Sequence, residues 1–154
     1  MEFGKDQMKR AVRLKSEFSK TSPPKKSIVR TGRVLFMDDE DLVRKVAGSI
    51  LMRLGYDFVA SQNGFEAINM YKQAMDSGYP FDVVILDLSV KSGLGGLGTI
   101  KALKALDPHV KAIVSSGFSN DPVMTRFKEY GFKGALPKPY KIEDIENELH
   151  RLTH

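Results

Sequence analysis

The chain has 154 residues, 42% of them hydrophobic and 28% charged, which indicates one globular domain with a single core. The absence of cysteine excludes disulfides, thiolate catalysis and cysteine-ligated zinc, and no apolar run approaches the ~18 residues of a membrane span. The net charge of +5 comes from residues 1–30, with 9 Lys/Arg against 3 Asp/Glu, whereas residues 31–154 carry 15 against 16. No direct nucleic-acid partner is therefore expected.

Residues 1–31 are predicted to be a basic tail or linker. Residues 7–18 have the pattern of a short amphipathic helix, and Pro23 and Pro24 end any helix there. We expect residues 32–154 to form the folded domain of a cytoplasmic protein without a membrane partner.

Apolar runs and helical periods alternate along that domain. A strand at 34–37 precedes a helix that ends at Gly55, and a strand at 56–60 precedes a helix from Asn63 to Ser77. Strands at 81–86, 110–114 and 134–136 follow, each with a helix after it, at about 99–106, 121–130 and 142–152. The first helix is predicted to bury Val43, Val46, Ile50 and Leu54.

Five strands that are each followed by a helix predict an α/β fold, an open parallel sheet with helices on both faces. Because crossover connections are right-handed, the simplest strand order is the flavodoxin-like 2-1-3-4-5. Sites in such sheets form at the carboxyl ends of the strands, where the order reverses.

Chemically active side chains follow these strand ends. Asp38 and Asp39 follow the first strand, Asp87 the third, Ser115 and Ser116 the fourth, and Lys138 the fifth. Carboxylates about 5 Å apart repel by roughly 3 kcal/mol per pair, and an oxygen-only ligand set suits Mg²⁺. Carboxylates also act as nucleophiles toward phosphoryl groups, and a lysine and a hydroxyl can stabilise phosphoryl oxygens.

These motifs resemble the receiver domain of two-component response regulators. The matching segments are VLFMDDE (34–40), VVILDLS (83–89), VSSGFS (114–119) and LPKPY (136–140). The resemblance implies that Asp87 accepts phosphate from a histidine kinase or phosphotransfer protein. It also implies that Asp39 and Asp87 bind Mg²⁺, with Asp38 helping, often through water, and the Ser89 carbonyl completing the set. Lys138 would then contact the phosphoryl group, and Ser116 would be the switch hydroxyl.

The same resemblance implies the receiver type that is often attached to hybrid histidine kinases, with an output through a protein contact or another domain. Lys91 stands where the family usually has proline, and Ala135 where it commonly has Tyr or Phe. Phe118 and Tyr140 lie near enough to substitute for that aromatic residue, although packing is the simpler role for both.

Other functions are compatible with some of these residues. An aspartate-nucleophile phosphatase usually has a second acid two residues after the nucleophile, where this chain has Ser89. A pseudo-receiver that only docks partners is the third alternative. The glycines Gly93, Gly95 and Gly98 spell G-x-G-x-x-G, but they follow the third strand rather than the first, which argues against a dinucleotide site. We expect them to give the loop positive-φ freedom and space.

Overall fold

The computed structural model describes residues 31–91 and 93–154, so the predictions for residues 1–30 lie outside the described residues. Strands and helices alternate along this part of the chain. They are β1 (Arg33–Met37), α1 (Asp41–Arg53), β2 (Asp57–Ser61), α2 (Gly64–Asp76), β3 (Val83–Asp87), α3 (Gly96–Leu106), β4 (Ala112–Ser116), α4 (Pro122–Thr125), a 3-10 helix (Phe127–Tyr130), β5 (Gly134–Pro137) and α5 (Ile142–Thr153).

The five strands form one parallel sheet in the order β2-β1-β3-β4-β5, which confirms the predicted fold. All five residues of β3 are buried, as its continuous apolar run indicates, because helices cover both faces of the sheet. One core lies between the sheet and α1 with α5, and the other lies under α2, α3 and α4. None of the helices within the described ranges has the length and apolar character that a bilayer span requires.

The buried face of α1 differs from the prediction at one position. Val46 is 46% exposed, whereas Ala47 and Gly48 are buried. Phe58 of β2 lies directly over Gly48, where an added Cβ would come within 2.5 Å of the ring. The small residues thus let α1 approach the sheet, and this contact rotates Val46 toward solvent.

The helix predicted for 121–130 is broken into two short pieces. Asp121 caps its start, since its Oδ1 accepts the Val123 N–H at 2.8 Å. The chain leaves helical geometry at Arg126, with φ −123° and ψ 44°, and continues as the 3-10 helix. This break lets Met124 and Phe132 pack into the same core.

The glycine-rich segment brings α3 against the end of β3. Among Gly93, Gly95 and Gly98, a left-handed φ occurs at Gly93 alone (+78°), so the expected conformational freedom is needed there. At Gly96 an added Cβ would lie 2.9 Å from the carbonyl oxygen of Asp87. Close backbone approach therefore places the first turn of α3 beside Asp87.

Candidate functional site

Parallel strands bring the acidic residues to one edge of the sheet. Asp38 directly follows β1, and Asp87 is the last residue of β3, which is paired with β1. Asp38 is 0% and Asp87 2% exposed, and Asp39 is half-buried. Carboxylates buried to this extent need compensating charge or hydrogen bonds.

Asp38, Asp39 and Asp87 form a cluster that fits a divalent cation. One carboxylate oxygen from each lies within 4.8 Å of the others. A set of hard oxygen donors with this charge suits Mg²⁺, which binds through a few carboxylates and keeps several waters. When bound, the ion would supply positive charge that offsets the mutual repulsion of these acids.

Lys138 adds a positively charged ammonium group to this cluster of acids. Its Nζ lies 2.6 Å from Asp38 Oδ2 and 3.2 Å from Asp87 Oδ1, and its backbone N–H donates to the Ser116 carbonyl at 2.9 Å. Burial lowers the pKa of Lys138, but the hydrogen bond to Asp38 and the charges of Asp87 and Asp38 outweigh it, so the pKa is raised. Lys138 is therefore a permanent positive charge between two carboxylates.

Neighbouring residues orient the first two acids. The Glu40 N–H donates to Asp38 Oδ1 at 2.9 Å, and Arg44 Nη1 donates to the Asp38 carbonyl at 2.8 Å. The Lys91 N–H donates to Asp39 Oδ2 at 3.3 Å, which proline at this position could not do. The loop after β3 is thus connected directly to Asp39.

Asp87 Oδ1 accepts two further hydrogen bonds, from the N–H of Ser89 at 3.3 Å and from its hydroxyl at 3.4 Å. Ser89 therefore lies at the site, and the metal role of its carbonyl stays a prediction. Burial, and next the Asp38 carboxylate, raise the pKa of Asp87, although Lys138 opposes them. In the absence of a bound metal ion, ionisation of Asp87 is therefore unfavourable even with Lys138 beside it.

We expect Asp87→Asn to raise the free energy of unfolding in Mg²⁺-free buffer at neutral pH, by about 1–2 kcal/mol. Because the folded pKa of Asp87 is raised, protonated Asp87 favours the fold below the unfolded pKa of about 3.9, and this contribution is lost as pH rises through the folded pKa. The advantage of the variant should therefore be larger at neutral pH than near pH ~4. Urea unfolding at both pH values checks this, and equal stability at neutral pH would contradict it.

Ser116 ends β4 beside this cluster and is 1% exposed. Its Oγ accepts the N–H of Phe118 at 3.0 Å, so the hydroxyl holds the loop after β4. The packing role expected for Phe118 is wrong, because the residue is 72% exposed and belongs to neither core. Ser116 thus lies at the junction between the site and a surface loop.

The sequence reasoning missed a partly buried contact between Ser115 and Tyr140. Ser115 Oγ and Tyr140 Oη are 2.5 Å apart, and the Tyr140 ring packs edge-on against Phe36. The partners are 25 residues apart, and no periodicity links them. Two adjacent serines at a strand end were the available signal, since one of them needs another partner when the first faces the site.

The chain is similar to known signalling proteins. It is 26% identical to chemotaxis protein CheY of Thermotoga maritima over 122 residues, which cover 79% of this chain and 97% of that protein. It is 28% identical to sensor kinase CckA of Brucella abortus over 112 residues, 73% of this chain but 11% of that protein.

The fold is also similar to solved structures. One is the receiver domain of sensor histidine kinase PA1611 from Pseudomonas aeruginosa, solved with a magnesium ion in its active site cleft. The TM-score is 0.69 at 18% identity, covering 79% of this chain and 97% of that one. The family model of the response regulator receiver domain matches residues 34–150. With the sheet order and the match over most of its length, the chain belongs to the response regulator receiver domain family.

Proposed function

We propose that this receiver domain accepts a phosphoryl group on Asp87 from the phosphohistidine of a histidine kinase or phosphotransfer protein, in a Mg²⁺-dependent reaction that switches a protein-interaction surface. The observation that carries the proposal is the position of the Asp87 carboxylate, buried beside two further acids and 3.2 Å from a lysine ammonium. This set combines a nucleophile, a cation site and a fixed positive charge.

Each residue has a proposed role in that reaction. Asp38, Asp39 and Asp87 hold Mg²⁺, and the Ser89 carbonyl is the fourth protein ligand. An Asp87 oxygen forms the new bond to phosphorus while the bond from phosphorus to the donor's imidazole nitrogen breaks. The electron pair of that bond stays on the imidazole, which takes up a proton. Lys138, already 3.2 Å from Asp87 Oδ1, stabilises the phosphoryl oxygens.

Ser116 is the proposed start of the conformational switch. Rotation of its hydroxyl toward a phosphoryl oxygen would break the hydrogen bond with the Phe118 N–H and release the loop that carries this exposed ring. Moving such an equilibrium from 1:99 to 99:1 takes about 5.5 kcal/mol, which a few charge-assisted hydrogen bonds can supply. Ala135 of β5 is paired with Val114 of β4, and it has no aromatic ring that could follow this motion.

A histidine kinase is the proposed phosphodonor class. The similarity to a segment of sensor kinase CckA supports this assignment and also supports a place next to a kinase in a longer protein. The output then passes through the altered surface to another protein or domain.

The proposal is tested with acetyl phosphate as a small phosphodonor. With Mg²⁺ present, intact-mass spectrometry should show one added phosphoryl group, and EDTA should prevent the addition, because the acids then repel the donor. A pseudo-receiver would acquire no phosphoryl group under any of these conditions. Steady multiple turnover of a phosphate monoester would instead indicate a phosphatase and contradict the proposal.

A further inference from the structure

The segment that carries Lys138 also carries Tyr140, whose side chain turns back to the sheet. Its hydroxyl is 2.5 Å from Ser115 Oγ, and its ring centroid is 6.0 Å from that of Phe36. Burial raises the pKa of Tyr140 to about 12, so the hydroxyl stays protonated at neutral pH and remains a hydrogen-bond partner. Tyr140 is therefore anchored both to β4 and to β1.

The last two residues of β4 hold this segment at two points. The Ser116 carbonyl accepts the Lys138 N–H at 2.9 Å, and the Ser115 hydroxyl binds Tyr140 two residues later. Between these attachments the Lys138 side chain reaches 2.6 Å from Asp38 and 3.2 Å from Asp87. The flexible lysine stem gives no such precision by itself, because it loses rotamer entropy when it is held in one position.

We propose that Tyr140 is a positioning residue for Lys138, and that its hydrogen bond to Ser115 keeps the ammonium between the two carboxylates. The inference rests on the proposed function, since it assigns to Tyr140 a part in holding the phosphoryl-binding lysine. One part of the inference does not depend on phosphorylation. The contacts of Tyr140 and Lys138 also predict how tightly Asp38 and Asp87 bind Mg²⁺.

The position of Lys138 affects two ligands in opposite ways. Its ammonium offsets part of the negative charge of Asp38 and Asp87 and so competes with Mg²⁺ for their oxygens, but it attracts a phosphoryl anion. Loosening the lysine should therefore strengthen Mg²⁺ binding and weaken binding of a phosphoryl mimic. General loosening of the site would weaken both.

Tyr140→Phe tests this, because it keeps the ring against Phe36 and removes the hydroxyl. NMR titrations would measure the Kd for Mg²⁺ alone and then the Kd for beryllofluoride, a phosphoryl mimic, at saturating Mg²⁺. We expect the Mg²⁺ Kd to fall and the beryllofluoride Kd to rise, each by about 2- to 10-fold, the usual range for one lost hydrogen bond. Tyr71→Phe is the matched control, since Tyr71 donates a 2.6 Å hydrogen bond to Asp107 at another place in the fold. It should change neither Kd.

Two further variants exclude an indirect effect. Ser115→Ala should give the same opposite changes, and in a Lys138→Met background Tyr140→Phe should have no further effect on either Kd. A fall in both affinities, or no change in either, overturns the inference. If the wild-type protein binds no beryllofluoride, the proposed function fails, and the Mg²⁺ titrations alone then support or overturn the role of Tyr140.

Discussion

Asp87→Ala is expected to abolish phosphorylation by acetyl phosphate, lowering incorporation by more than about 100-fold, because the variant has no nucleophile for the covalent step. Asp38 is the alternative acceptor, because its carboxylate lies closer to Lys138, at 2.6 Å. However, Asp38 Oδ1 also accepts the Glu40 N–H, and Asp38 is 0% exposed whereas Asp87 is 2% exposed. Asp87 is therefore the more accessible of the two acids.

Intact-mass spectrometry after incubation with Mg²⁺ and acetyl phosphate measures this effect. Asp76→Ala is the matched control, since Asp76 is an exposed acid at the end of α2 and should leave incorporation unchanged. Hydroxylamine should remove the group from the wild-type protein, as it does from acyl phosphates in general. Full incorporation by Asp87→Ala would assign the acceptor to another residue and refute this assignment.

Lys138→Met should lower the free energy of unfolding by about 2–4 kcal/mol in Mg²⁺-free buffer, somewhat less than the ~3–5 kcal/mol for removing one partner of a fully buried ion pair, because the Lys138 side chain is 19% exposed. Asp38 and Asp87 are 0% and 2% exposed, so without the ammonium two buried carboxylates face each other without a compensating charge. The methionine keeps most of the side-chain volume, so the effect isolates the charge.

Urea unfolding with and without Mg²⁺ measures this loss. Millimolar Mg²⁺ should restore a substantial part of the stability, because the ion binds the folded state and supplies the missing positive charge. Lys111→Met is the control: Lys111 Nζ donates to the Leu152 carbonyl at 2.8 Å, so it too makes a hydrogen bond, but to a neutral partner. Equal losses for the two variants would show that Lys138 contributes no more than a hydrogen bond to a neutral partner, and would contradict the role given to its charge.

Much of the site follows from sequence order, for a physical reason. Parallel strands end at the same edge, so residues at the carboxyl ends of β1, β3 and β5 meet there even though Asp38 and Lys138 are 100 residues apart. The carboxylates and the lysine could therefore be predicted together from their positions at strand ends. Their separations, hydrogen bonds and burial depend on side-chain packing, which no spacing rule provides.

Local patterns predicted element types better than their details. The apolar period predicts the helix α1 but places Val46 on its buried side. In the structure Val46 is exposed, because the contact of Gly48 with Phe58 fixes the rotation of the helix. The cap at Asp121 was evident too, whereas the break at Arg126 was not. Rotation and breaks respond to neighbours that are distant in sequence.

The alternation of strands and helices, the sheet order and the family can all be predicted from residue order, since each depends on local periodicity, chain connectivity or short motifs. The contact of Asp39 with the Lys91 N–H and that of Tyr140 with Ser115 become evident only in the folded molecule. Such contacts join segments that fold together through packing, and a hydrogen bond of about 3 Å depends on atomic positions that residue order does not specify.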